Sequence, residues 1–145
     1  MITPPSAWVT PSMLPTTLNP KKRLAIDLET YDPHLIERGP GWATGDGHVV
    51  GIAIAADNYQ GYFPIRHEGG GNLEEAVVLR WLKALLSTHK APVIFHNALY
   101  DIGWLRREGI LQLPRPLVDT MFAAPLVDEH AVSYSLNHLG QTYCD

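Results

Sequence analysis

Apolar and polar positions alternate between two periods along this chain, and the switches mark its elements. Residues 23–28 (RLAIDL) are an apolar run ending in a carboxylate, which predicts a buried strand. Residues 32–47 form a Gly/Pro-rich loop with Gly39-Pro40-Gly41 inside it. Residues 48–56 (HVVGIAIAA) predict a second strand, Asp57-Asn58 a turn, and residues 59–65 (YQGYFPI) a returning third strand. Pro64 predicts that this third strand lies at an edge or ends there. Gly69-Gly70-Gly71 breaks the chain, and Asn72 is expected to cap a helix to about His89, with Leu73, Val77, Trp81 and Leu85 on one face. Residues 92–95 (PVIF) predict a fourth buried strand, after which Asn97 is expected to cap a helix ending near Gly109. Leu117-Val118 reads as a short fifth strand, 119–127 as helical, and Ser133 as the cap of a last helix that stops at Gly140.

The order is β-β-β-α-β-α-β-α. Three hairpin-linked strands followed by alternating units imply an α/β domain, a mixed five-stranded sheet with helices packed on it. Residues 21–145 are assigned to this domain. Residues 1–20, rich in Pro and Thr, read as a flexible lead-in or a strap along the surface, without the basic start and apolar stretch of a secretory signal.

Composition narrows the class. At 46% hydrophobic and 18% charged residues, the 145-residue chain can fill a core and is not a disordered polymer. No apolar run approaches the roughly 18 residues of a membrane span. Cys144 is the single cysteine, which excludes an internal disulfide and fits a reducing cytoplasm. A net charge of −4 argues against a general nucleic-acid coat protein, yet is compatible with a nuclease, because bound cations reverse the sign at a carboxylate cluster. The histidines are scattered, with no His-x-x-x-His or Cys-x-x-Cys spacing, which argues against structural zinc.

Two motifs carry candidate chemistry. Asp27 and Glu29, two apart on a strand, project from one face. Paired carboxylates repel unless a cation lies between them, and Mg²⁺ or Mn²⁺ prefers such oxygen ligands. A lone Asp-x-Glu more often just ends a strand at the surface. The second motif, His96-Asn97-Ala98-Leu99-Tyr100-Asp101, follows the fourth strand and spaces Asn97 and Asp101 four apart, on one helix face extended by Trp104. If the first and fourth strands are neighbours, both motifs meet at one sheet edge, where open α/β sheets place their sites. Asp119-Thr120, after the fifth strand, reads more simply as the cap of the following helix.

In this order the motifs resemble the DEDD superfamily of 3′–5′ exonucleases. Asp27-Leu28-Glu29-Thr30 is similar to its first motif and His96 to Asp101 to its second. Tyr62-Phe63-Pro64-Ile65 with His67, Asp119-Thr120-Met121 and Tyr134-Ser135-Leu136 resemble segments of the proofreading domains of phage-type family-A DNA polymerases. The resemblance implies a ribonuclease-H-like three-layer fold, a single-stranded DNA 3′ end as partner and a covalently linked polymerase domain. It implies hydrolysis at two Mg²⁺ or Mn²⁺ ions, with Asp27 bridging both, Glu29 holding the first and Asp101 supporting the second. Thr30, His96 and Asn97 match substrate-positioning positions, Tyr31 to Pro33 the pocket of the terminal base, and Tyr100 packing beside them.

One departure matters. The family's third motif, Tyr-x-x-x-Asp or His-x-x-x-x-Asp, is absent: Ser135 stands five after His130, His138 four after Tyr134, and Tyr143 has only Asp145, two positions on. The expectation is a C-terminally incomplete domain, cut from a longer chain and weak in hydrolysis. Two other readings stay open. One is a stand-alone RNA-trimming exonuclease of the same superfamily. The other is a non-catalytic nucleic-acid-binding or scaffold module, against which the retained carboxylates weigh.

Overall fold

The computed structural model describes residues 9–11, 13–16, 18–57, 59–113 and 115–144. Asn58 of the expected hairpin turn, and residues 1–8, 12 and 17 of the lead-in, lie outside the described residues.

Five strands form one mixed sheet in the order β3-β2-β1-β4-β5. The central strand β1 (Leu24–Tyr31) pairs antiparallel with β2 (His48–Ala56), which pairs antiparallel with β3 (Tyr59–Pro64). On its other side β1 runs parallel to β4 (Val93–Phe95), and β4 to β5 (Leu117–Asp119). The expected mixed α/β sheet is therefore the one that forms. Pro64 closes β3 at the sheet's edge, where its missing N–H costs no ladder bond.

Alternation along β1 gives the sheet two different faces. Leu24, Ile26 and Leu28 are buried beneath α3 (Glu75–Thr88) and α4 (Ala98–Arg107), in a core with Ile52, Phe63, Val93, Phe95 and Trp104. Ala25, Asp27 and Glu29 point to the opposite face.

Several local expectations are corrected. The buried stripe of α3 is Val78, Leu82 and Leu86, one residue on from the expected face, and Val77 is exposed. Its cap is Glu74, whose carboxylate accepts from Ala76 and Val77 N–H. Asn72 instead closes the glycine-rich loop, accepting from His67 N–H and donating to His67 C=O, both at 2.8 Å. The last helix, α6 (Leu136–Tyr143), is capped by Ser135 rather than Ser133 and continues past Gly140. It follows α5 (Thr120–Val127). The loop after β1 contains two single turns, α1 (Leu35–Arg38) and α2 (Gly41–Thr44), where only irregular chain was expected.

That loop is fastened to α4. Arg107 donates to the carbonyls of Gly41, which opens α2, and of Gly45 and Asp46, which follow it. Trp42 lies so close to Gly103 that a Cβ there would stand 2.3 Å from its ring. In the lead-in, Leu14 and Leu18 pack against the core and Pro15 C=O accepts from the Trp81 indole at 3.1 Å.

Candidate active site at the carboxylate edge of the sheet

The two sequence motifs meet because β1 outlasts β4. The parallel ladder pairs only Leu24 with Val93 and Ala25 with Ile94, after which β4 turns away into α4. Asn97 makes that turn in the left-handed region (φ 68°), which Asn tolerates better than most side chains. Beyond it Leu28 N–H has no strand carbonyl to reach, and Asp101 Oδ1 accepts it at 3.0 Å. Asp101 is 3% exposed, so a side chain from α4 occupies a vacated ladder position.

Electrostatics couple the two motifs. Burial pushes the Asp101 carboxyl up to about 7; the Leu28 hydrogen bond opposes that, and the charges of Asp27 and Asp119 add to it. The Asp27 carboxyl is also raised, first by burial, then by the like charge of Glu29, while His96 pulls it down. Asp27, half-buried, and Glu29, exposed, project from the helix-poor face. Below them lies a cavity of about 380 Å³, floored by Ala25, Ala53, Ala55 and Gly61, with His96 and Leu136 at its wall.

Thr120 Oγ1 donates to Phe95 C=O at 3.1 Å, so at the 3.0 Å contact with His96 Nδ1 the imidazole N–H is the donor, which orients the ring. Thr30 Oγ1 lies 2.9 Å from the Tyr100 hydroxyl, which donates to Asp32 Oδ2 at 2.8 Å. Thr30 therefore faces α4, away from the carboxylate pair. Asn97 is exposed and makes no capping bond. The expected cap is replaced by Asp119, whose two oxygens accept from Asn97 N–H (3.0 Å) and Ala98 N–H (2.7 Å), and from Met121 N–H of its own helix (2.9 Å). Sequence reasoning gave Asp119 only the second of these roles; a bond across 22 residues leaves no local signal.

Oxygen donors near a hard divalent cation's preference are present in Asp27, Glu29 and Asp101. Among the described residues, however, no group of three or more His, Cys, Asp or Glu side chains is gathered into a metal-holding set. The arrangement is an open pair of carboxylates with a third engaged by the backbone behind it. Its donor chemistry fits a metal, and relief of the repulsion among these acids would favour one.

Comparison with known proteins agrees with this geometry. A family model described as 3′–5′ exonuclease matches residues 12–145. The chain is 38% identical over 143 residues to a DNA-directed DNA polymerase of Pseudomonas phage M6, covering 95% of this chain and 21% of that protein. It is 33% identical over 122 residues to DNA polymerase DpoZ of Salmonella phage PMBT28, covering 83% of this chain and 17% of that one. The chain thus spans about a fifth of the length of these curated relatives. Its fold is similar to that of Brucella melitensis NrnC, with a TM-score of 0.58 at 20% identity over 86% of this chain and 53% of that one. A Mg²⁺-bound form of NrnC gives 0.55 at 18% identity, over 85% and 53%. The expected ribonuclease-H-like fold is the one observed. The carboxylate motifs, their meeting at one sheet edge and the match across nearly the whole sequence lead to one assignment: the chain belongs to the 3′–5′ exonuclease family of family-A DNA polymerases.

Proposed function

We propose that this domain hydrolyses phosphodiester bonds at the 3′ end of single-stranded DNA, as the proofreading part of a polymerase. The observation that carries the reading is the placement of Asp27 and Glu29 on one face of β1 with Asp101 bonded to the Leu28 N–H between them, where the charge of Glu29 acts on Asp27 and that of Asp27 on Asp101. In hydrolysis of this class a water oxygen bonds to phosphorus, the bond to the preceding nucleotide's 3′ oxygen breaks, and that oxygen takes up a proton.

Asp27 and Glu29 would hold Mg²⁺ or Mn²⁺, with Asp101 supporting a second ion. A bound metal of this kind activates water and neutralises charge on the phosphate. Asp101, by holding Leu28 N–H, fixes the strand from which the pair projects. His96, oriented by Thr120, stands on the cavity wall with Asp27. The helix-poor face leaves room above the pair for an incoming chain end. That both curated relatives are DNA polymerases supports DNA as substrate and a linked polymerase domain as partner. RNA trimming is the second reading, since the structurally similar NrnC is described bound to pGG.

The test is release of mononucleotides from matched 5′-labelled DNA and RNA oligonucleotides with Mn²⁺ or Mg²⁺. Weak, metal-dependent release from DNA is expected, lost in Asp27→Ala along with the heat of Mn²⁺ binding. Release or binding heat unchanged by that substitution would remove the metal site from consideration, and preference for RNA would select the second reading.

A further inference from the structure

The carboxylate face has a third functional flank on the antiparallel side of the sheet. Asp27 pairs with Ala53, and Ala53 with Tyr62, so Asp27, Ala53 and Tyr62 form one cross-strand row on one face. The next row begins with Glu29 opposite Gly51. Gly51 lets the Tyr62 ring lean along the sheet toward Glu29: a Cβ at position 51 would stand 1.9 Å from the phenolic oxygen and 2.3 Å from Cζ. The charge of Glu29 registers at the phenol. The hydroxyl is hydrogen-bonded to His67 Nε2, and the two rings meet edge-on with centroids 5.7 Å apart. His67 is anchored in turn by the paired backbone bonds to Asn72.

A nuclease site built on acids must still attract a phosphate, which calls for donors that add no negative charge. Arg66, the cation adjacent to this pair in sequence, is committed elsewhere: its guanidinium is shared between Glu75 and Glu108 in two forked contacts and also reaches Val49 C=O. Tyr62 meets the requirement. We propose that Tyr62, oriented by His67, contacts the substrate directly, its hydroxyl donating to a non-bridging oxygen of the 3′-terminal phosphodiester beside Asp27 and Glu29. The inference rests on the exonuclease reading given above. In the proposed complex His67 Nε2 donates to the phenolic oxygen and the phenolic hydrogen turns to the phosphate. Burial and the Glu29 charge hold the phenol's pKa at about 12, so it remains a donor throughout the neutral range.

The experiment uses this 145-residue chain and four variants: Tyr62→Phe, Gly51→Ala, His67→Gln and His67→Leu. One arm measures nucleotide release with Mn²⁺, with Asp27→Ala as a control. The other measures fluorescence anisotropy of a 5′-labelled single-stranded DNA ending in a cleavage-resistant phosphorothioate. Loss of a hydrogen bond to a charged group predicts binding about tenfold weaker in Tyr62→Phe at unchanged melting temperature, with release falling at least as far. Gly51→Ala, which displaces the ring but keeps the tyrosine, should show the same loss. His67→Gln, whose amide can still donate, should retain binding within about threefold while His67→Leu falls to the Tyr62→Phe level. Wild-type binding and release in Tyr62→Phe, with Asp27→Ala inactive, overturns the role of Tyr62 alone. A wild-type chain that binds but releases nothing overturns the exonuclease reading for this chain, and the binding arm then decides on Tyr62. A wild-type chain that does not bind the oligonucleotide overturns both.

Discussion

Asp101→Asn separates what Asp101 does for the fold from what it does for the site. The amide oxygen can still accept from Leu28 N–H, but the group no longer ionises. In the native protein this carboxyl is displaced from an ordinary 3.8 to about 7. A displacement of that size corresponds to about 4 kcal/mol, an upper bound because water and neighbouring groups relax around a buried charge. The sign follows from the direction. Between about pH 4 and 7 the folded protein binds a proton that the unfolded chain has released, so this group's contribution falls as pH rises and is fully lost above 7. Urea unfolding in chelator should therefore find wild type and Asp101→Asn about equal below about pH 4, with the variant more stable by about 2–4 kcal/mol at pH 8. Saturating Mn²⁺ should narrow or reverse that difference, since a ligand at a hundredfold its dissociation constant stabilises the protein that binds it by about 3 kcal/mol. If metal-free wild type is the more stable protein at pH 8, the ionised carboxylate is welcome where it sits and the account of the site's electrostatics is wrong.

Two further substitutions test the scaffold. Asp119→Ala removes an acceptor from Asn97, Ala98 and Met121 N–H at once, and should cost about 1–3 kcal/mol in denaturant unfolding while lowering nucleotide release, because α4 carries Asp101. Gly103→Ala drives a methyl into the Trp42 ring and should cost about 1–3 kcal/mol, with Trp42 and Gly103 changed together to Ala recovering part of the loss.

The fold was largely legible because its signals are local and repeated. The apolar runs of β1, β2 and β4, the hairpin after Asp57 and the breaks at glycine and proline are each written within a few residues. The misreadings share a cause. Asn72 and Asn97 are good capping residues by type, but Glu74 and Asp119 present two carboxylate oxygens to the same kind of N–H group, and the second of these arrives from a distant strand. The stripe on α3 was misplaced by one position because Trp81 and Leu85 are apolar enough to suggest the face while lying at its margin. At the site, Asp27 and Glu29 were readable from period-two alternation. Burial of Asp101 was not, since it depends on β4 being only three residues long. Nor was the approach of Tyr62 to Glu29, which requires knowing that Gly51 stands between them.

The docking of residues 32–47 onto α4 has a thermodynamic consequence for ligand binding. Arg107 on the carbonyls at both ends of α2, Trp42 against Gly103, and Asp32 accepting from Tyr100 leave this stretch with few ways to move independently of the helix that bears Asp101. If this stretch walls the proposed site, it has little conformational entropy left to lose when a nucleotide arrives. Discrimination would then be set by shape and by the cost of stripping water, and a poorly fitting chain end would be turned away at the threshold rather than tested by a closing lid.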